Sequence, residues 1–312
     1  MATENTKVNL TGIVLAGGRS SRFGFNKLKI KVGPVPLFID QIFKLSFFCD
    51  EIIISTSKDD YPIVSSELKK IRIYQKKYNF EKIQDLKKRK YPEIDFKNFY
   101  EKTSAFPDIK MNIRIILDES DTNNLNTNNS LDISNSERPV RNHTGRGPVI
   151  GIYTSLAKAA YFYSIVVAFD MPFISYDLLK SLAYGFGLNT EKSSNSELIP
   201  ISHNYPKTND ARIIKTEKGF EVLCGLYSKN CLGILKENIG KQKYKISDIF
   251  NYLDVEIISI NKLKQNGIDS LNFFNINRLE DYHKFKNLWQ NNNISSNTAT
   301  SFVEKWTDFF FR

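Results

Sequence analysis

Four short apolar runs limit what this chain can fold into. Residues 10–16 (LTGIVLA), 51–56 (EIIIST), 112–117 (NIRIIL) and 162–169 (FYSIVVAF) have strand length, and each closes at a glycine, a polar or an acidic residue. Runs this continuous suit strands buried on both faces rather than strands with one wet face. Helix-like stretches at 37–48, 148–160 and 175–184 lie between or beside them. That alternation predicts an α/β fold, a doubly wound and mostly parallel sheet. In open sheets of this kind ligands bind outside the carboxyl ends of the strands, so the residues that close these runs are the first candidates for chemistry.

Farther on, 211–216 and 220–227 flank Glu217-Lys218-Gly219, which predicts a β-hairpin with glycine where the turn needs positive φ. A helix at 232–239, another ending near Leu253, a strand at 255–260 and a helix at 278–289 follow, and there is no internal repeat. Two stretches break the pattern. Residues 69–90 hold ten Lys or Arg and two acids, so most of the +10 net charge of the 312-residue chain is local. Residues 119–137 carry six asparagines among Ser, Thr and Asp, a composition too polar to offset its ordering entropy, and are expected to be a mobile loop. The expected organisation is one domain over 8–290, with a basic insertion at about 61–110, an Asn-rich loop at 119–146 and a tail at 291–312.

Composition excludes several classes. With 41% apolar and 25% charged residues the chain is neither disordered nor fibrous. Three cysteines are too few and too scattered for a disulfide framework or a closed zinc site, which points to a reducing compartment. Residues 1–10 lack an apolar signal core, and no run approaches the ~18 apolar residues of a membrane span. A cytoplasmic protein without membrane contact is expected.

Residues 15–27, LAGGRSSRFGFNK, follow the first strand and carry the most chemistry. Gly17 and Gly18 let backbone approach a ligand without Cβ clashes, and successive N–H groups in such a turn bind anions. Arg22 and Lys27 add a guanidinium fork and an ammonium tip, suited to different phosphates of one triphosphate. The segment is neither a Walker A loop nor a GxGxxG fingerprint.

This segment resembles the LAGGxSxRxGxxK signature of the nucleotidyltransferases related to molybdenum cofactor guanylyltransferase (MobA-like). Gly147-Pro148-Val149-Ile150-Gly151-Ile152 resembles the family's GPLAGI segment, and Phe169-Asp170-Met171-Pro172-Phe173 its CDMPF segment. Phe274-Asn275-Ile276-Asn277 is similar to the FxNxNTPEDL ending, with Glu280 and Asp281 keeping an acidic first helical turn, and 223–227 (LCGLY) to a strand near the acceptor pocket. The resemblance implies a Rossmann-like nucleotidyltransferase domain. It implies nucleotide contacts from Leu15, Ala16, Gly17, Gly18, Arg22, Lys27, Ser55, Asp118 and Asp170, with Arg22, Lys27 and Asp170 catalytic. It also implies Mg2+ held by Asp170 with Asn275 and Asn277. Three departures stand out: Ser55 where relatives often carry Asn, Asn26 where the signature commonly has Asp, and the long 119–146 interval after Asp118.

The implied reaction moves GMP from MgGTP to the terminal phosphate of molybdopterin, forming the guanine dinucleotide cofactor and pyrophosphate. Gly17-Gly18 favours guanylyl transfer, because related cytidylyltransferases tend to read Ala-Gly there. The resemblance leaves room for a molybdoenzyme chaperone or cofactor-insertion partner. The alternatives are a CTP-dependent or sugar/alcohol-phosphate transferase of the same superfamily and, from another class, a nucleic-acid-binding or scaffold protein led by the 69–90 cluster. Lys-rich faces are usually only solvated, so nucleic acid is not the expected partner.

Overall fold

The computed structural model describes residues 9–17, 25–33, 35–74, 112–118, 147–185 and 209–290. Gly18, Arg22, the basic residues beyond Tyr74, the 119–146 loop and the tail lie outside the described residues. The strands are β1 (Leu10–Leu15), β2 (Lys31–Val32), β3 (Val35–Pro36), β4 (Glu51–Thr56), β5 (Asn112–Leu117), β6 (Tyr163–Ala168), β7 (Ala211–Thr216), β8 (Gly219–Ser228) and β9 (Val255–Ser259). The helices are α1 (Leu37–Leu45), α2 (Tyr61–Leu68), α3 (Pro148–Lys158), α4 (Tyr176–Tyr184), α5 (Cys231–Gly240), α6 (Ile260–Gln265) and α7 (Leu279–Gln290).

Seven strands make one sheet in the order β5-β4-β1-β6-β8-β7-β9. β1 runs parallel to β4 and β6, and β4 parallel to β5. β8 enters antiparallel between β6 and β7, and β9 is parallel to β7. The expected doubly wound, mostly parallel sheet is therefore present, with the hairpin as its antiparallel part. Gly219 sits at φ +121°, the conformation expected of that turn.

Alternation along each strand feeds two cores. Val14, Ile52, Ile54, Ile165 and Val167 face one side with Phe38 and Ile42 of α1, Val64 of α2, Leu178 and Leu182 of α4 and Leu263 of α6. Ile13, Leu15, Ile53 and Val166 face the other with Ile152 and Leu156 of α3 and Leu235 and Ile239 of α5. Helices cover both faces, so all six residues of β1 are buried and the strand reads as an unbroken apolar run. Each such aliphatic side chain contributes roughly 1.5–3 kcal/mol over leaving it in water. Helix α2, at the start of the basic stretch, puts Val64 into the first core, and Tyr74 beyond it is 8% exposed.

A third cluster joins distant parts of the chain. Ile30 and Val32, Leu37 at the start of α1, Phe173, Ile276 and Phe285 of α7 pack together. It seats the 275–277 segment and α7 beside Leu37, while Phe38, Ile39, Ile42, Phe43 and Leu45 of α1 pack in the first core, so eight of that helix's nine residues are buried. Arg212, 2% exposed, ties β7 to the end of α4, donating to the Leu182 carbonyl at 2.6 Å and to the Glu256 carboxylate at 2.7 Å. A cation on the last carbonyls of a helix is favoured by the helix dipole. Among the described residues no helix is long and apolar enough to cross a membrane.

Candidate functional site

The strand registers align the carboxyl ends. Leu15 lies opposite both Ser55 and Ala168, and Ser55 opposite Ile116. Residues following β1, β4, β5 and β6 therefore emerge on one edge. From β1 the chain moves outward through β4 and β5 and then returns to the other side of β1 as β6. The crevice between β1 and β6 is the topological switch point, where ligands of such sheets bind.

Three segments meet there. Lys27 begins a 3-10 turn, Lys27–Lys29. Its Nζ lies 3.1 Å from Oδ2 of Asp170, 143 residues away, and 3.5 Å from Oδ1 of Asn277, 250 residues away. The Asn275–Asn277 segment is held by the Ile276 N–H, which donates to the Asp170 carbonyl at 2.9 Å, and by the fully buried Ile276 side chain. With Ile276 turned into the core, its neighbours are turned outward, the alternation expected of an extended segment. The structure brings Asn277 to Lys27; the Asn275 amide instead donates to the Phe273 carbonyl at 3.4 Å. Asp281 accepts the N–H groups of Asn277 and Arg278 at 3.0 and 2.9 Å, so the acidic first turn of α7 caps the helix.

Burial and charge oppose each other at Asp170. Burial raises its carboxyl above the usual range, and the charge and hydrogen bond of Lys27 pull it back. Asp170 and Asn277 offer a carboxylate and an amide oxygen, both already directed at one cation, the Lys27 ammonium. That donor set suits a hard divalent ion that prefers oxygen and retains water. No group of three or more His, Cys, Asp or Glu among the described residues could hold a metal by itself.

A second cluster lies beside it. The Ser55 hydroxyl donates to Oδ1 of Asp118, and burial raises the Asp118 carboxyl against the opposing effect of that bond. A Cβ on Gly17 would stand 2.9 Å from Asp118 Oδ2, and one on Gly151 would stand 2.8 Å from Ser55 Oγ. The strand ends are locked together: the Ala16 N–H donates to the Ser55 carbonyl at 2.7 Å, and Thr56 Oγ1 to the Ala16 carbonyl at 3.2 Å. Leu15 is buried under this corner. Of the residues expected from sequence, Leu15, Ala16, Gly17, Ser55 and Asp118 thus form one corner, and Lys27, Asp170 and Asn277 the adjoining one.

Sequence reasoning named the segment containing Gly151 but not the glycine's contact with Ser55. It also missed Asp60, which accepts from Asn26 Nδ2 at 2.7 Å. The departure at Asn26 was visible, but its partner 34 residues on was not. All three cysteines are buried and free, and burial raises the Cys231 thiol to about 12.

Residues 12–81 match the family model of the MobA-like NTP transferase domain. The molybdenum cofactor guanylyltransferase of Desulfosudis oleivorans is 26% identical over 139 residues, 45% of this chain and 59% of that protein. A probable molybdenum cofactor guanylyltransferase of Clostridium perfringens is 30% identical over 144 residues, 45% of this chain and 62% of that protein. The matches thus span about 60% of the length of these curated relatives. The crystal structure of molybdopterin-guanine dinucleotide biosynthesis protein A from Archaeoglobus fulgidus shares the fold, with a TM-score of 0.51 at 19% identity over 90% of this chain and all of that one. The resemblance read from the motifs therefore stands: the chain is similar to MobA-like nucleotidyltransferases.

Proposed function

We propose that this chain, which carries a MobA-like NTP transferase segment, transfers GMP from MgGTP to the terminal phosphate of molybdopterin and releases pyrophosphate. The observation that carries the reading is the meeting of Lys27, Asp170 and Asn277 at the switch point, from parts of the chain up to 250 residues apart. A partly buried acid, a lysine and an amide oxygen gathered at a β1/β6 crevice support the reading of a phosphate site, since core packing alone gives no reason to gather them.

Asp170 and Asn277 would hold Mg2+, joined by Asn275 once its amide leaves the Phe273 carbonyl. The ion's contribution is to neutralise phosphate charge and polarise the α-phosphorus. Lys27 then exchanges the Asp170 carboxylate for the triphosphate, joined by Arg22 and the N–H groups at Gly17 and Gly18. The acceptor phosphate is already anionic at neutral pH, so positioning and charge neutralisation carry most of the rate enhancement. Asp118, steadied by Ser55, faces the base. An ionised carboxylate only accepts, which suits guanine's neighbouring N1–H and N2 amino donors. Gly17 leaves room for that carboxylate, which supports GTP over CTP. The cytoplasm is the proposed setting and molybdopterin the proposed acceptor; a cofactor-insertion partner fits this role.

Calorimetry with MgGTP and MgCTP tests the reading. Binding of MgGTP at least tenfold tighter, with pyrophosphate released only when molybdopterin is added, is expected. Preference for MgCTP, or release driven by a sugar or alcohol phosphate, would move the chain to the alternative transferases.

A further inference from the structure

Lys27 opens a three-residue turn whose carboxyl side is anchored by the buried Leu28 and Ile30, and whose amino side begins at Asn26. The geometry points to Asp60 as the residue that positions Lys27, acting through Asn26. Asn26 uses both ends of its amide: Oδ1 accepts the Leu28 N–H at 2.9 Å, closing the turn that carries Lys27, and Nδ2 donates to Asp60 Oδ1 at 2.7 Å. The other Asp60 oxygen accepts from Ser57 Oγ at 3.0 Å, and the Asp60 N–H returns a bond to that hydroxyl at 3.1 Å. Ser57 follows β4 directly. A relay of Ser57, Asp60 and Asn26 therefore couples the end of a buried strand to the turn under Lys27. Position 26 accepts from Leu28 and donates to Asp60 at once, which an amide does and an ionised carboxylate does not.

Aspartate at position 26 keeps the bond to Leu28 but sets two carboxylates face to face. Exchanging the two residues restores the pair: the amide nitrogen at position 60 points at the new carboxylate, and its oxygen remains for Ser57. The inference rests on the nucleotide reading for what Lys27 grips, and on geometry alone for how Lys27 is held.

The test compares wild type, Asn26→Asp, Asp60→Asn and the exchanged double variant in the full chain. In nucleotide-free protein, acylation of Lys27 by a limiting amine-reactive ester is followed by peptide mass spectrometry. MgGTP affinity is measured in parallel. Asn26→Asp should label Lys27 several-fold faster and bind MgGTP about tenfold more weakly, and the double variant should return to within about threefold of wild type on both. Should Asn26→Asp not fold, Asp60→Asn and Ser57→Ala should move labelling in the same direction by less. Unchanged labelling in Asn26→Asp, or a double variant as impaired as the single one, overturns the relay. If wild type binds neither MgGTP nor MgCTP while labelling responds as described, the relay stands and the nucleotide reading falls.

Discussion

Gly17 and Gly151 come from different elements and approach one Ser55–Asp118 pair, so a single methyl group tests the corner. On Gly151 a Cβ would lie 2.8 Å from Ser55 Oγ, forcing the hydroxyl away from Asp118. Alanine is otherwise the better helix former by ~1 kcal/mol, so α3 itself loses nothing. Gly151→Ala is expected to weaken MgGTP binding about tenfold and to lower Tm, since the crowding and the lost bond to Asp118 outweigh the gain in helix propensity. Asp118 carries a pH signature. Its carboxyl is raised in the folded protein, mainly by burial, so ionisation costs the fold something it does not cost the unfolded chain. The cost is present above the raised folded value and disappears as pH falls through it towards the ordinary carboxylate value. Asp118→Asn should therefore raise Tm at pH 7, and the difference should shrink to nothing as pH falls to the ordinary carboxylate range, while MgGTP affinity drops. Thermal melts across that range check the sign. Lys27 and Asp170 were legible in sequence because each lies in a motif beside a strand end. The constraint on Gly151 was not, since it exists only once α3 is laid across the ends of β1 and β4.

At the scale of elements, legibility followed the density of apolar residues in a run rather than burial itself, since the edge strand β5 has one buried residue of six and still stands out. β4 and β5 have the bounds that the sequence suggested, and β1 and β6 differ by a residue or less at each end. Both-face burial or close neighbours make their apolar runs abrupt. Helix α2 buries only Val64 within its eight residues, so it has no amphipathic stripe to read, and the two-residue strands β2 and β3 are too short for any period. Helix α7 shows how an element serves the site. Its Asp281 accepts two N–H groups, one of them from Asn277, so the cap also fixes the segment that approaches Lys27. Removing it in Asp281→Ala should cost about 1 kcal/mol of stability, as for other helix caps. Nucleotide affinity should fall with it, because Asn277 loses its anchor. Substitution to Ala at Lys286, on the same helix and stacked over Tyr282, should leave that affinity unchanged. Equal effects of the two substitutions in a titration would remove the cap from the account.

Among the described residues, two carboxylates mark the two ends of the parallel strands, Glu51 at the amino ends and Asp170 at the carboxyl ends. The chain's charge also divides: Lys27 serves the crevice, while most of the +10 belongs to the stretch at 69–90, whose charge requires no part in catalysis. The antiparallel entry of β8 between β6 and β7 was not legible, because strand order depends on which faces remain uncovered after the parallel half is built. At the amino edge, Glu51 is 2% exposed and pairs with Arg114; its Oε2 also accepts the Thr11 hydroxyl and the Ala160 N–H, each at 2.8 Å. One carboxylate thus binds β1, β4, β5 and the approach to β6. Removing it leaves the Thr11 hydroxyl and the Ala160 N–H without this acceptor, while Arg114, 39% exposed, keeps the Lys158 carbonyl. At the carboxyl edge, Asp170 is a partly buried carboxylate whose ionisation desolvation disfavours, and its side chain is matched by Lys27 rather than by strand neighbours. The two acids should therefore fail in opposite ways. Glu51→Ala should lose about 1–3 kcal/mol in urea unfolding, the cost of stranding the donors that Glu51 satisfies, since the 39%-exposed Arg114 can turn to water, while the folded fraction binds MgGTP within about twofold of wild type. Asp170→Ala should unfold at the same urea concentration or a higher one and lose roughly a hundredfold or more in turnover, since the charge it removes is needed only when phosphate is present. Stability loss in both variants, or activity loss in both, would mean that the edges are not separated and that Asp170 is a structural acid.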